Sequence, residues 1–303
     1  MPIISAYLTV IMIWSTSPLA IQWSGRHVGY EFGVATRMLI GLLALLLIVR
    51  LWRLPLPWDK PHLRVYLAGG LPIFLAMSSV YWAAQFIPSG WISVIFGLTP
   101  FFTSLFARLI LGTRSFTAAK TLGMLLALSG LALVFAESLS IEINAWWGVA
   151  GVTFSSIIHS LSGVLLKKLN PELPSISVTT GSLIIATPLF VINSLFHGLP
   201  QDVPVQTLTA ILYLAIMGTA LGFPLYFFCL RKLHAEQVAL ITFITPVSAL
   251  FLGNWLNQET LNLSIWLGTG LILTGLAIYQ YAKYLPWAKR YRLASEAIRS
   301  DPR

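Results

Sequence analysis

The chain of 303 residues is 57% hydrophobic and only 10% charged, whereas about 25% of the residues in soluble globular domains are charged. This composition excludes a soluble globular protein and indicates a membrane protein. The net charge of +9 would also suit a nucleic-acid-binding protein, but the placement of the basic residues along the chain points to a different cause.

Apolar segments of about twenty residues follow one another along almost the whole chain, separated by short connections. Twenty residues are enough for a helix to cross the roughly 30 Å hydrocarbon core of a bilayer. We therefore predict an all-α polytopic membrane protein with ten transmembrane helices and no folded domain outside the membrane. The predicted spans are 3–23, 32–51, 66–86, 90–111, 117–136, 146–166, 176–196, 208–230, 236–256 and 264–284.

The basic residues are distributed unequally between the two sides of the membrane. If the N-terminus is cytoplasmic, seventeen of the 19 lysines and arginines fall on the cytoplasmic side, and only Arg26 and Arg37 fall on the other. The positive-inside rule then predicts a multi-pass protein of the plasma (inner) membrane with both termini in the cytoplasm. The positive charge reflects topology and contact with the lipid bilayer, so no nucleic-acid partner is expected. The sequence indicates no oligomeric state.

Motifs for ATP-driven or hydrolytic chemistry are missing from the sequence. It contains no GxxxxGK(S/T), HExxH or GxSxG motif, and Cys229 is its single cysteine. These motifs carry the chemistry of ATP-driven pumps, metalloproteases and serine hydrolases. We therefore expect a protein that is not an enzyme, with no catalytic residue, no cofactor and no metal site.

Two parts of the chain repeat each other at an offset of about 145 residues. Thr99-Pro100 aligns with Thr245-Pro246, and GMLLALSGLAL (123–133) aligns with GTGLILTGLAI (268–278). Glycines in the two aligned stretches suit close packing of the fifth and tenth helices, although Gly123 forms no small-residue pair in the sequence.

The repeat predicts the domain organisation. It divides the chain into a first five-helix repeat, 1–140, a second five-helix repeat, 141–285, and a basic cytoplasmic tail, 286–303. Because five is odd, the second repeat begins on the opposite side of the membrane from the first. Inverted repeats of this kind are typical of secondary transporters, in which broken helices meet near the membrane midplane.

The two Thr-Pro pairs lie near the middle of the fourth and ninth spans. Pro100 and Pro246 cannot donate a hydrogen bond to the carbonyl four residues earlier, and an unpaired carbonyl in lipid costs several kcal/mol. We predict two helix breaks that face a shared cavity and act in gating. The alternative is a pair of kinks that the hydroxyls of Thr99 and Thr245 satisfy and that serve packing alone.

The second half, 218–279, resembles the EamA-type repeat of the drug/metabolite transporter (DMT) superfamily. That repeat typically has a Gly-Thr-Ala opening, a proline in the next helix, a glutamate that closes it and a glycine-rich final helix. The residues at those places are Gly218, Thr219, Ala220, Pro246, Glu259, Gly268 and Gly275.

The first half resembles the same repeat through Trp14-Ser15, Arg37, Pro100, Gly123 and Gly130. Thr113, however, stands where the family usually has a glutamate. The resemblance implies a ten-helix transporter that exports a small molecule, such as an amino acid, by alternating access. A nucleoside or drug permease, or a membrane scaffold or sensor that keeps the fold without transporting, are the alternatives.

Two ionisable residues within the spans are candidates for substrate binding, since such groups are costly in a membrane. Arg37 could meet a carboxylate or phosphate through its planar fork of donors. It could instead reach the headgroups or pair with Glu31. His159 could line the site, relay protons or form a structural hydrogen bond with a neighbour.

Aromatic and polar residues complete the predicted site. Aromatic side chains within the spans could form an amphipathic cavity wall, although the interfacial aromatic belt is an alternative explanation. No glutamate or aspartate lies in the middle of a span, which favours neutral, zwitterionic or anionic substrates. The predicted substrate-binding residues are Trp14, Arg37, Tyr81, Trp82, Gln85, Thr99, His159 and Thr245.

Overall fold

The computed structural model describes residues 3–112, 118–141, 144–169, 172–232 and 235–281. Thr113 and the predicted tail 286–303 lie outside the described residues. Within these ranges the structure is all-helical. The first half contains α1 (Ile3–Gly25), α2 (Tyr30–Leu51), α3 (Lys60–Ala83), α4 (Ser89–Phe96), α5 (Thr99–Leu111) and α6 (Ala118–Ile141).

The second half begins with two long helices, continues with a segment of mixed helical type and ends with two more long helices. These are α7 (Ala145–Leu169), α8 (Ser175–His197), α9 (Val205–Tyr213), a π-helical segment (Leu214–Gly222), α10 (Phe223–Lys232), α11 (Ala235–Asn257) and α12 (Leu263–Tyr281). Eight stretches among the described residues are long and apolar enough to cross a membrane, and Ala119–Val134 is a shorter apolar helix. The prediction of a polytopic membrane protein is confirmed.

The fourth span breaks where the sequence predicts, close to Pro100. α4 ends at Phe96 and α5 begins at Thr99, so that Gly97 and Leu98 form a tight connection. The amide of Gly97 donates to the carbonyls of both Ser93 and Val94, at 3.1 Å each. Such shared hydrogen bonds are common where an α-helix ends, so the break leaves the amide satisfied.

The predicted break at Pro246 is wrong. Pro246 lies inside the continuous helix α11, as Pro18, Pro72 and Pro188 lie inside α1, α3 and α8. A proline removes one intrahelical hydrogen bond, and neighbouring helices allow a transmembrane helix to absorb that loss. The irregular part of the second half lies one span earlier, in the π-helical segment.

The contacts between helices recur when each span is replaced by the span five positions away along the chain. The third span, α3, contacts the sixth and seventh, α7 and α8. Correspondingly, the eighth span, which runs from α9 through the π-helical segment to α10, contacts the first and second, α1 and α2. The pairs α2 with α8, α4 with α11 and α6 with α12 join equivalent spans. This contact pattern is the one expected of two structural repeats, and an odd number of spans in each makes them inverted.

The surface of the bundle is apolar, while the exposed basic residues collect at its ends. Leucines such as Leu43, Leu125 and Leu267 are more than half exposed, which is unfavourable in water and stable against lipid tails. Because consecutive spans are antiparallel, most described basic side chains share one end of the bundle, which we call the basic end. Those side chains are Arg50, Arg53, Lys60, Arg64, Arg108, Lys167 and Lys168.

Glycines bring α6 and α12 into direct backbone contact. A Cβ atom added to Gly130 would lie 2.5 Å from the Gly268 carbonyl oxygen, and one added to Gly123 would lie 2.8 Å from the Tyr279 amide nitrogen. The predicted close packing of these helices is therefore observed, and it includes Gly123, for which the sequence indicated no partner.

We expect Gly130→Ala to destabilise the protein by about 1–3 kcal/mol, because the added methyl group overlaps backbone atoms of α12 that cannot rotate away. The measurement is the melting temperature of the protein purified in detergent. Gly270→Ala is the matched control, since nothing lies within 4 Å of a Cβ atom at Gly270. Equal melting temperatures for the two variants would contradict this account of the packing.

Candidate functional site

A cavity of about 400 Å³ lies between the two halves of the bundle. Its volume is within the usual range for small-molecule sites. The side chains around it come from the first four spans and from the sixth, eighth, ninth and tenth. Of the predicted site residues, the cavity is lined by Trp14, Arg37, Thr99, Pro100, His159 and Thr245.

Arg37 is the charged group of the cavity wall. Its side chain is only 4% exposed. Nε donates to the Thr219 hydroxyl at 3.0 Å, and Nη1 donates to the Tyr81 hydroxyl at 3.2 Å. Within the described part of the chain, Nη2 forms no hydrogen bond. Two hydrogen bonds thus fix the guanidinium while part of its donor fork remains unused.

Arg37 has no carboxylate within salt-bridge distance in the described part of the chain. Glu31, the partner considered from the sequence, lies instead 3.6 Å from His197 Nε2. A buried guanidinium without an ion pair carries a desolvation penalty. An anionic ligand at Nη2 would offset that penalty, so the site is suited to a carboxylate or a similar anion.

The π-helical segment shapes the wall around Arg37. Thr219 lies in this segment, and a Cβ atom at Gly218 would lie 3.1 Å from Arg37 Nη2. On the other face, a Cβ atom at Gly41 would lie 2.7 Å from Thr219 Cγ2. Two glycines therefore let α2 and the π-helical segment approach closely enough for Arg37 to reach Thr219. Isolated π turns occur frequently at functional sites.

Aromatic rings form the apolar part of the wall. The Trp14 and Tyr226 ring centroids are 4.5 Å apart at an interplanar angle of 40°. Phe96 and Phe223 also line the cavity, together with Pro18. This centroid separation is within the range of favourable aromatic pairs. The rings present an apolar surface to a ligand.

His159 and Thr99 lie on neighbouring helices. The His159 ring meets Phe96 edge-on at a centroid distance of 6.5 Å, and within the described structure no hydrogen bond joins it to another residue. Thr99 shares a hydrogen bond of 2.9 Å with the Ser156 hydroxyl, and the Ser160 hydroxyl donates to the Thr99 carbonyl at 3.1 Å. Thr99 therefore also links the broken fourth span to α7.

Three predicted residues of the third span do not line the cavity. Tyr81 is buried behind Arg37 and accepts its hydrogen bond. Trp82 packs edge-on against Trp147, at 6.2 Å between ring centroids, and the exposed Gln85 donates to the Trp82 carbonyl. At about 100° per residue, a helix that directs Val80 toward the cavity directs Trp82 away from it.

Several cavity residues were missed by selecting aromatic and ionisable residues. Ser93, Gly97 and Ser104 line the cavity, and with the predicted Pro100 they are spaced by four, three and four residues. That spacing places them on one face of a helix, so a search for a stripe of small and polar residues would have found them. From α12, the cavity is also lined by Tyr279 and Gln280.

Beyond the cavity, at the end of the bundle opposite the basic end, Glu259 joins three spans. Its Oε1 accepts from the Ser89 amide at 2.9 Å, and its Oε2 accepts from the Gly90 amide at 3.2 Å. Asn257 donates to the same carboxylate at 2.8 Å and to Gln22 of α1, also at 2.8 Å. The carboxylate therefore caps the first turn of α4, where backbone amides favour negative charge.

We expect Glu259→Gln to lower the free energy of unfolding by about 1–2 kcal/mol, because a neutral amide is a weaker acceptor for two buried backbone amides than a carboxylate. Melting temperatures in detergent measure the loss. Glu172→Gln, at an exposed position, is the control. A loss in the control as large as that in Glu259→Gln would contradict the capping role.

A comparison with protein families supplies the context of this geometry. The model of the EamA-like transporter family matches residues 1–136 and 146–280. The chain belongs to this family. The cavity therefore lies in a protein of a transporter family. Membership in this family implies a small-molecule substrate and a multi-pass location in the membrane.

Individual relatives of this EamA-like protein are distant but cover most of its length. The uncharacterized transporter YoaV of Bacillus subtilis is 26% identical over 274 residues, which cover 89% of this chain and 93% of YoaV. A probable amino-acid metabolite efflux pump of Escherichia coli is 24% identical over 308 residues, covering 95% of this chain and 97% of the pump. A solved crystal structure with 19% sequence identity superposes with a TM-score of 0.67 and covers 90% of this chain and 95% of its own.

Proposed function

We propose that this EamA-like protein is a secondary transporter that exports small carboxylate-bearing metabolites, such as amino acids, by alternating access. The observation that carries the proposal is Arg37, a buried cation on the cavity wall with no carboxylate partner among the described residues. A guanidinium fork is well suited to bind a carboxylate through two parallel hydrogen bonds. The name of the Escherichia coli relative supports an amino-acid metabolite as the cargo and efflux as the direction.

The proposed substrate site has two parts. Arg37 binds the carboxylate, with Thr219 and Tyr81 holding the guanidinium in place. Trp14 and Tyr226 face the apolar part of the substrate. His159 is available for a polar substituent. Substrate release requires the two halves to rock against each other about this site, as in other transporters with inverted repeats.

The repeat boundaries and the orientation belong to the same proposal. The halves are residues 1–140 and 141–285, followed by the tail 286–303, and the basic end faces the cytoplasm. On this orientation, Glu259 and its partners lie at the side away from the cytoplasm. Closure of the cavity at that side would let it load from the cytoplasm, as an exporter requires.

The proposal predicts that Arg37→Gln lowers uptake of carboxylate substrates into proteoliposomes by about 10- to 100-fold, which corresponds to the loss of a hydrogen bond to a charged group. Arg37→Lys retains the charge without the fork, so an intermediate rate is expected. The measurement uses purified protein and a panel of labelled amino acids, other organic acids and nucleosides.

The matched control is Arg50→Gln, which removes an exposed arginine from the other end of the same helix. Melting temperatures establish that each variant is folded. Unchanged uptake in folded Arg37→Gln would contradict the proposed site. No uptake of any compound by folded wild-type protein would favour a membrane scaffold or sensor, and uptake of nucleosides alone would favour a nucleoside permease.

The proposed orientation predicts the behaviour of reporters fused after Arg303. A green fluorescent protein should fluoresce there, and alkaline phosphatase should be inactive, because the former folds in the cytoplasm and the latter requires the oxidising exterior. Fluorescence and phosphatase activity of intact cells are the measurements. An active phosphatase fusion would place the C-terminus outside the cytoplasm and reverse the assignment of the two ends.

A further inference from the structure

The wall of the cavity has an unbalanced charge. Among the described lining residues there is one arginine, Arg37, and there is no lysine, aspartate or glutamate. The buried carboxylates of the described chain have other partners. Glu31 lies near His197, and Glu259 accepts hydrogen bonds from Ser89, Gly90 and Asn257. An ammonium group in the cavity therefore meets a cation and no described carboxylate.

The carboxylate site also restricts where an ammonium group can lie. In an α-amino acid the ammonium nitrogen is two bonds from the carboxylate carbon, so a carboxylate held by Arg37 brings the ammonium close to the guanidinium. Two like charges in a desolvated site repel each other. The ammonium also needs three acceptors.

Two hydroxyl groups of the lining already form hydrogen bonds, and each oxygen keeps a lone pair that can accept from a ligand. The Ser17 hydroxyl donates to the Ile13 carbonyl at 2.6 Å. The Thr99 hydroxyl shares its hydrogen bond with Ser156. These oxygens can accept from an ammonium, so selection against that group comes from its repulsion by Arg37, which a substrate without an ammonium avoids.

We propose that the cavity selects apolar monocarboxylates that lack a free ammonium group, for example 2-oxo acids or N-acylated amino acids, over the corresponding zwitterionic amino acids. This inference rests on the proposed function, because it assigns the substrate carboxylate to Arg37. The aromatic surface of Trp14, Tyr226 and Phe96 accommodates the apolar part of such a molecule, as it would the side chain of an amino acid.

The test compares ligands that share one phenyl group and differ in charge. They are the monoanions 3-phenylpropionate and N-acetylphenylalanine, the zwitterion phenylalanine and the cation phenethylamine. Binding to the full-length protein in detergent is measured at pH 7.5 from the concentration dependence of the melting temperature. We expect both monoanions to bind with a Kd at least about tenfold lower than that of phenylalanine, a clear difference in binding free energy, and phenethylamine not to bind.

A pair of variants at Ser93 tests whether the charge of the cavity wall causes the selection between these ligands. Ser93 lines the cavity on α4 and is 7% exposed. Ser93→Asp adds an anion to the wall and should bring the ratio of the two Kd values, phenylalanine to 3-phenylpropionate, close to one. Ser93→Asn adds a side chain of nearly the same volume without charge and should keep the ratio of the wild type.

Three outcomes would overturn the inference. If phenylalanine binds as tightly as 3-phenylpropionate or more tightly, the inference is wrong and the proposed export of amino acids stands. If folded Ser93→Asp keeps the wild-type ratio, the charge of the wall is not the cause of the selection. If none of the three carboxylates binds to folded wild-type protein, the inference and the proposed function both fail. Flux of labelled 3-phenylpropionate and phenylalanine in proteoliposomes provides the corresponding transport ratio.

Discussion

The buried guanidinium of Arg37 is the constraint around which the rest of the cavity is arranged. Placing an arginine in the interior of a membrane protein carries a large desolvation penalty, and the described residues offset it with hydroxyl groups and no carboxylate. Thr219 and Tyr81 hold the side chain from two different spans. The glycines at 41 and 218 let the π-helical segment approach α2. Together these features fix the direction of a positive charge, which the proposed function pairs with the carboxylate of the substrate.

Such a site needs a frame in which some contacts between the two halves of the bundle stay fixed while others can rearrange. The contact of α6 with α12 has little freedom, because backbone meets backbone at Gly123 and Gly130. The cavity is different, because side chains and a small number of hydrogen bonds separate its helices. The fourth span is broken beside this cavity, between Phe96 and Thr99. The cavity between the two repeats is therefore the part of the structure in which access could change from one side of the membrane to the other.

The order and number of the helices could be predicted from the sequence because hydrophobic length and repeated motifs are properties of short segments. The location of Arg37 and His159 at the cavity could also be predicted, since ionisable groups inside spans face protein or water. The directions of Trp82 and Gln85 could not, because residue type does not define which face of a helix meets the cavity. The continuity of α11 through Pro246 and the π-helical segment from Leu214 to Gly222 depend on the packing of neighbouring helices. A single proline only lowers the preference for a helix, and neighbouring helices decide the result.

The two ends of the bundle differ in a way that bears on the direction of transport. At one end, the Glu259 carboxylate caps α4 and, through Asn257, reaches Gln22 of α1. At the equivalent place in the first repeat the sequence has Thr113, and a hydroxyl group is a weaker acceptor than a carboxylate. In the proposed transport cycle, these Glu259 contacts would stabilise closure at their own end and shift the resting population toward the form open at the basic end. If the basic end faces the cytoplasm, the empty transporter is open to the side from which an exporter binds its substrate.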